Sequence, residues 1–176
     1  MLILLSGLPG TGKSTIADGI ARARGTPVFS VDPIESAIIE AGIAASFETG
    51  LAAYLVAQAL ADRSLAAGLD PVIDAVNSVE LARDMWRGLA AKHAVELMII
   101  ECVVSDERVH RTRVASRQRG LALAEPGWDD VEHRRAEWTT WPEPHLTLDG
   151  LDPPGENLAK ALEYVVGPPR RLSVDE

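Results

Sequence analysis

Short apolar runs alternate with amphipathic stretches along almost the whole chain. Leu2-Ile3-Leu4-Leu5, Val28-Phe29-Ser30-Val31, Pro71-Val72-Ile73-Asp74-Ala75, the segment Glu96 to Val104 and the segment His145 to Leu148 read as five strands. Leu97-Met98-Ile99-Ile100 is the clearest part of the fourth. Runs this short and this apolar belong to strands covered on both faces, as in a parallel sheet. Between them the pattern is helical. Helices are expected from Ser14 to Ala21, from Ile34 to Glu40 with a stop at Gly42, and from about Glu48 to Ala67 with a stop at Gly68. Asn77 with Glu80 forms a capping box for a helix on which Leu81, Met85 and Leu89 share a face. Ser105 caps the next, with Asp106 and Glu107 in its first turn and Gly120 at its end. Helices near Asp129–Trp138 and Asn157–Val166 complete the set, and Pro168–Glu176 reads as a frayed tail beyond a domain spanning 1–167.

This strand–helix alternation predicts an α/β fold of three layers, a parallel sheet with helices on both faces. Ligands of such sheets sit at the carboxyl ends of the strands. That rule selects the turn after the first strand, Asp32 after the second and Asp74 at the end of the third.

The turn after the first strand is Gly7-Leu8-Pro9-Gly10-Thr11-Gly12-Lys13-Ser14, a complete P-loop between strand and helix. Gly7, Gly10 and Gly12 let successive backbone N–H groups point at phosphate oxygens, with Pro9, Thr11 and Thr15 completing the cradle. The following helix dipole adds positive potential. Lys13 can reach the β- and γ-phosphates, and the Ser14 hydroxyl can ligand Mg²⁺. No guanine-reading motif is present, so ATP is the expected nucleotide.

Asp32 stands across the site from the P-loop. It can take a proton from an acceptor hydroxyl or orient it, and it can equally open an Asp-Pro turn with Pro33. Asp74 can bind substrate, back Mg²⁺ through water, or accept loop N–H groups. Arg108, Arg111, Arg113, Arg117 and Arg119 form a basic cluster, in which Arg113 and Arg117 are spaced to share a helix face. Arg117 and Arg119 precede a loop at 121–128 and are the candidates for a lid, at about 117–128, that brings guanidinium to a transferring phosphate. Arg134 and Arg135 can serve the helix that returns from the lid, but set among Asp129, Asp130, Glu132 and Glu137 they read rather as salt-laced surface. Trp128, Trp138 and Trp141 read as packing beneath the lid.

Composition narrows the partners. A net charge of −9 argues against broad nucleic-acid binding. No apolar run approaches the ~18 residues of a membrane span, so no membrane role is expected. The apolar start, Met1 to Leu5, runs straight into the P-loop and does not read as a signal peptide. Cys102 is the one cysteine, which fits a cytoplasmic setting. His93, His110, His133, His145 and Cys102 show no zinc spacing.

The start Leu4-Leu5-Ser6-Gly7-Leu8-Pro9-Gly10-Thr11-Gly12-Lys13-Ser14-Thr15 resembles the small ATP-dependent kinases grouped with AAA-type ATPases. These include chloramphenicol phosphotransferase, polynucleotide kinase domains, gluconate kinase and zeta-type toxins. Ser30-Val31-Asp32-Pro33-Ile34-Glu35 is similar to the segment after strand two of chloramphenicol phosphotransferase, and Arg117-Gln118-Arg119-Gly120 to its lid. The resemblance implies an adenylate-kinase-like P-loop NTPase fold with a five-stranded parallel sheet. It implies ATP and Mg²⁺, with Lys13 as phosphate clamp, Ser14 as metal ligand, Asp32 as base and Arg117 and Arg119 as lid charges. Ile34 stands where shikimate kinases carry a second Asp, which speaks against that substrate.

The function these features favour is transfer of the γ-phosphate of ATP to a hydroxyl of a small molecule. Two alternatives are weighed against it. A polynucleotide 5′-hydroxyl kinase needs a basic channel, against which the acidic balance argues. A nucleotide-binding regulator would hydrolyse ATP slowly and act through a partner.

Overall fold

Side-chain alternation along the first strand sorts the interior into two cores. The computed structural model describes residues 1–166. In it β1 (Leu2–Ser6) is buried along its whole length. It is followed by α1 (Lys13–Arg24), β2 (Val28–Ser30), α2 (Val31–Glu40), α3 (Phe47–Ala66), β3 (Val72–Asp74) and α4 (Glu80–Lys92). Then come β4 (Leu97–Val103), α5 (Glu107–Ala115), α6 (Trp128–Ala136), β5 (His145–Asp149) and α7 (Pro154–Tyr164). Leu2 and Leu4 point to one face, with Ile73 and Ile99, and meet Ala53, Ala57, Ala61 and Leu65 of α3 and Trp86 and Leu89 of α4. Ile3 and Leu5 point to the other face and meet Ile16, Ala17 and Ile20 of α1 and Ala161 of α7. The four-residue spacing of the alanines gives α3 a flat, small face that lies close on the sheet. Gly19 does the same for α1, since a Cβ there would come within 2.6 Å of Leu158 on α7.

The sheet is five-stranded and parallel, in the order β2-β3-β1-β4-β5. The expected α/β P-loop NTPase architecture is therefore the one found. The chain passes from β1 to β2 over β3, and from β3 to β4 over β1, so a crevice opens at the carboxyl end of β1. The register sets Asp74 of β3 beside Leu5 of β1 and beside Ser30 of β2. A β3 carboxylate thus lies against the P-loop.

Several local expectations are corrected. β2 stops at Ser30, and Val31, Asp32 and Pro33 form the first turn of α2. Pro33 is tolerated there because first-turn N–H groups have no intrahelical partner to lose. Asn77 caps no helix: its φ is 57°, and its side chain is spent on the backbone oxygens of Leu5 and Ala75 and on Trp86 Nε1. Val79 occupies the N-cap of α4 instead. Asp106, not Ser105, caps α5, accepting from the Val109 N–H at 3.1 Å. That helix ends at Ala115, so Arg117, Arg119 and Gly120 lie in the loop beyond it, and Arg113 and Arg117 share no helix face. Among the described residues no helix is long and apolar enough to cross a membrane. The expected tail, Pro168–Glu176, and residue 167 lie outside the described residues.

Candidate active site

The P-loop closes over the end of β1 in a form that only glycine fits at two points. Gly7 has φ of 147°, and a Cβ on it would meet the Cys102 carbonyl oxygen at 2.2 Å. Gly10 has φ of 83°, and a Cβ there would meet Val114 of α5 at 2.9 Å. Thr11 Oγ1 donates to the Leu8 carbonyl at 2.8 Å, and the Pro9 carbonyl meets His110 Nε2 at 2.7 Å. The loop is therefore pinned from within and from α5. Gly12 stands at the N-cap of α1 without a side-chain cap, and the first turn of α1 holds no acid. Its N–H groups and dipole are left for an external anion.

Lys13 is 7% exposed and donates to the Leu8 carbonyl at 3.0 Å. Burial pulls its pKa below the ordinary lysine value, and the Asp74 and Asp32 carboxylates act against that shift. Ser14 Oγ donates to Asp74 Oδ2 at 2.7 Å, and Ser30 Oγ donates to the same oxygen at 3.1 Å. Of the roles open to Asp74, acceptance from loop N–H groups is not seen among the described residues; two hydroxyls donate to it instead. Ser14 and Asp74 supply hard oxygen donors side by side, the ligand chemistry Mg²⁺ takes. Thr15 is exposed beside Thr11 and Gly12 on a further cavity of about 230 Å³, bounded by Arg113, Gly150, Asp152 and Pro154.

Lys13, Ser14, Asp32, Asp74, Arg117 and Arg119 all line one cleft of about 560 Å³. Asp32 enters from the first turn of α2. Its Oδ2 pairs with Arg119 Nη1 and stands 3.9 Å from Arg117 Nη2, while its Oδ1 has no hydrogen-bond partner among the described residues. Glu125 is the second anion of this group, accepting from the Arg119 backbone N–H at 2.8 Å and its Nε at 3.1 Å, with Arg117 Nε at 3.7 Å. Burial and the adjacent Arg119 charge lower the pKa of Arg117. Arg119 Nη2 is buried and makes no hydrogen bond among the described residues, a donor aimed at no protein acceptor. The loop that carries this pair is stitched to α2 by the Ala122 N–H, which donates to Ser36 Oγ at 2.8 Å. Leu121, Leu123 and Pro126 give the cleft an apolar wall on that side.

Glu125 escaped the sequence reading, although two arginines facing one carboxylate imply a second counter-charge nearby. Arg134 is corrected too. It lines the cleft and makes no ion pair among the described residues. The three tryptophans separate into two groups. Trp128 packs edge-on against His110 at 5.3 Å. Trp141 and Trp138 stack on the buried Arg83 guanidinium, at 4.1 and 5.4 Å from the ring centroids. Cys102 is inert core, its thiol pushed up to about 12 by burial.

A protein-family model described as an AAA domain matches residues 2–134. A gluconokinase from Sinorhizobium meliloti 1021 has a similar structure, with a TM-score of 0.66 and 20% identity over 93% of this chain and 90% of that one. The Mycobacterium tuberculosis APS kinase CysC, in complex with AMPPNP and APS, gives 0.69 at 15% identity, covering 94% and 98% of the two chains. Chaetomium thermophilum Kti12, in complex with ADP-AlF3, gives 0.68 at 18% identity, covering 95% and 100%. At such identities the likeness is one of fold. No curated protein matches the sequence.

Proposed function

The chain belongs to the AAA domain family, and on that premise we propose that it is a P-loop kinase moving the γ-phosphate of ATP to a hydroxyl of a small molecule. The observation that carries this reading is the meeting of Lys13, the Ser14–Asp74 pair, Asp32 and two arginines on one cleft. We take residues 1–167 as the kinase domain and 117–128 as its lid.

In this reading the phosphates lie along Gly7 to Thr15, and the base extends past Thr11 and Gly12 toward Arg113 and Gly150. Lys13 exchanges the Leu8 carbonyl for β- and γ-phosphate oxygens. Mg²⁺, held by Ser14 Oγ with Asp74 behind it, would supply charge neutralisation at the phosphates. Asp32 Oδ1, without a hydrogen-bond partner among the described residues, takes the acceptor's proton as the acceptor oxygen bonds to phosphorus. The bridging P–O bond breaks with its electron pair left on ADP. Arg117 and Arg119 offer guanidinium N–H groups to the charge that develops, the orphaned Arg119 Nη2 among them. The apolar wall at Leu121, Leu123 and Pro126 keeps water from competing with the acceptor.

The test is Mg²⁺-ATP consumption by the purified protein against hydroxyl-bearing metabolites, antibiotics and 5′-hydroxyl oligonucleotides, with Asp32→Asn as control. Turnover stimulated by a small-molecule acceptor and lost in Asp32→Asn is the expected result. Stimulation only by the oligonucleotides would move the activity to nucleic-acid ends. Slow turnover indifferent to every acceptor would leave a nucleotide-dependent regulator.

A further inference from the structure

The outer face of α3 has the wrong chemistry for a surface bathed only in water. Between Glu48 and Asp62 this helix holds no charged residue. Its inner face packs Ala53, Ala57, Ala61 and Leu65 into the core. A surface helix ordinarily turns charged residues outward from such a stripe. Here the outward residues are Leu51, Leu55, Val56 and Leu60, each between 37% and 51% exposed, with Ala52 and Ala59 between them. Phe47 extends the patch at the start of the helix, also exposed. Scattered surface leucines need no explanation, but a contiguous apolar patch on one helix marks an interaction surface.

The order of residues along that face selects its partner. About the midpoint between Leu55 and Val56, Leu51 is matched by Leu60, Ala52 by Ala59 and Glu48 by Arg63. The face therefore reads alike from either end, except that its two end charges are opposite. A two-fold axis through the midpoint lays a second α3 antiparallel on the first and sets each residue opposite its match. Leucine then meets leucine, the alanines let the two backbones approach closely, and Glu48 of each copy meets Arg63 of the other. These two charges are open to such a partner. Asp62, the acid next to Arg63, is engaged by Lys92 and His93 at 2.7 and 2.6 Å, while Glu48 and Arg63 make no ion pair among the described residues. An anionic membrane fits this face poorly, because its rim holds two acids and one arginine rather than a basic belt.

We propose that this face is a homodimer interface, in which α3 packs antiparallel on α3 of a second copy about a two-fold axis between Leu55 and Val56. Among the described residues none of α3 lines the cleft, so the interface stands independently of the kinase reading. Its link to the cleft runs through α2, where Glu35 accepts from Thr49 Oγ1 at 2.8 Å. Pairing thus braces one wall of each cleft. An interface built mainly on one helix pair is small for a stable dimer, so association in the micromolar range is expected.

Sedimentation equilibrium of the full chain, from low- to high-micromolar protein, tests the pairing. The parent should pass from monomer to dimer and no further, since a two-fold interface closes on itself. Leu55→Lys should leave a monomer, because it sets two ammonium groups beside the axis. Glu48→Arg and Arg63→Glu should each weaken the dimer by at least about 10-fold, since each turns two attractions into two repulsions. The protein carrying both substitutions should return to within a few-fold of the parent. All three residues are exposed, so every variant should keep the parent's circular-dichroism spectrum. A parent that stays monomeric throughout would overturn the interface and leave the patch to a different partner. A dimer indifferent to Leu55→Lys would place the contact elsewhere on the molecule. Charge reversals without effect, or a natively folded double variant that does not recover, would overturn the antiparallel pairing.

Discussion

Asp32 carries two opposite charges on one oxygen and none on the other. Arg119 and Arg117 converge on Oδ2, so the carboxylate is held in one orientation with Oδ1 turned to other partners. In the proposed mechanism that division would let one residue be both fixed and reactive. A general base must be positioned before its proton affinity matters. Asp32→Asn keeps the shape and one hydrogen-bonding oxygen but removes the ability to hold a proton. It should lower kcat by roughly 10²–10⁴-fold, while the dissociation constant for Mg²⁺-ATP, measured by calorimetry, stays within a few-fold of the parent. Equal kcat in the two proteins would take Asp32 out of the proton transfer. Glu125 sits on the other side of the same arginines as a competitor for them. Glu125→Gln removes that competing charge and should tighten Mg²⁺-ATP binding by roughly two- to fivefold, the worth of a partly exposed ion pair. Weaker binding in the variant would show that Glu125 holds the arginines in place for the phosphates rather than away from them.

Elements explain which of these residues the sequence disclosed. The P-loop was legible because its residue types are dictated by contact: Gly7 against the Cys102 carbonyl and Gly10 against Val114 leave no room for a side chain. The strands were legible because burial on both faces makes them apolar throughout. The misreadings come where one residue type serves two geometries. Asp-Pro reads as a turn, yet Pro33 sits in the first turn of α2, where a missing N–H costs nothing. Asn77 matches a capping pattern, but at φ of 57° it works as a buried tie between β1, β3 and Trp86. Arg134 looked neutralised by neighbouring acids because one-dimensional proximity does not reveal that Asp130 is already engaged. The same limit hid His110, which joins α5 to the P-loop. It is 2% exposed, with Nε2 on the Pro9 carbonyl and Nδ1 facing Arg135 at 3.4 Å. Nε2–H donates to the carbonyl, so Nδ1 carries no proton and can accept from the guanidinium. Burial lowers its pKa, and the Arg135, Lys13 and Arg113 charges act in the same direction. The folded protein therefore binds fewer protons at His110 than the unfolded chain. Its contribution to stability is present above the unfolded histidine value near 6.5 and is lost as pH falls below it. Urea midpoints should decline from pH 7 toward pH 5, and His110→Gln should flatten part of that decline. A variant with the parent's full pH dependence would assign the loss to other groups.

For the whole molecule, the P-loop is the joint between the two cores. β1 carries Leu2 and Leu4 into one and Ile3 and Leu5 into the other, and its last residue hands the chain directly to Gly7. α1 leaves the loop into the second core, Asp74 approaches from β3, and His110 clamps it from α5. Under the proposed reading a nucleotide seated there would touch elements from both layers, so its binding free energy would stabilise the fold as a unit rather than one loop. By mass action a ligand at a hundred times its dissociation constant adds about 2.7 kcal/mol to the unfolding free energy. For a chain of this length that is a rise of roughly 5–10 °C in Tm. Mg²⁺-ATP should give such a rise in a thermal melt of the parent protein. ATP with EDTA should give less, because Ser14 and Asp74 then face the phosphates without the cation. Lys13→Ala should lose most of the shift while melting near the parent temperature without nucleotide, since among the described residues the Lys13 ammonium makes only one hydrogen bond, to the Leu8 carbonyl. A full shift in Lys13→Ala would mean that the nucleotide is held elsewhere. A shift confined to the parent, and enlarged by Mg²⁺, would tie the stability of both cores to occupation of the P-loop.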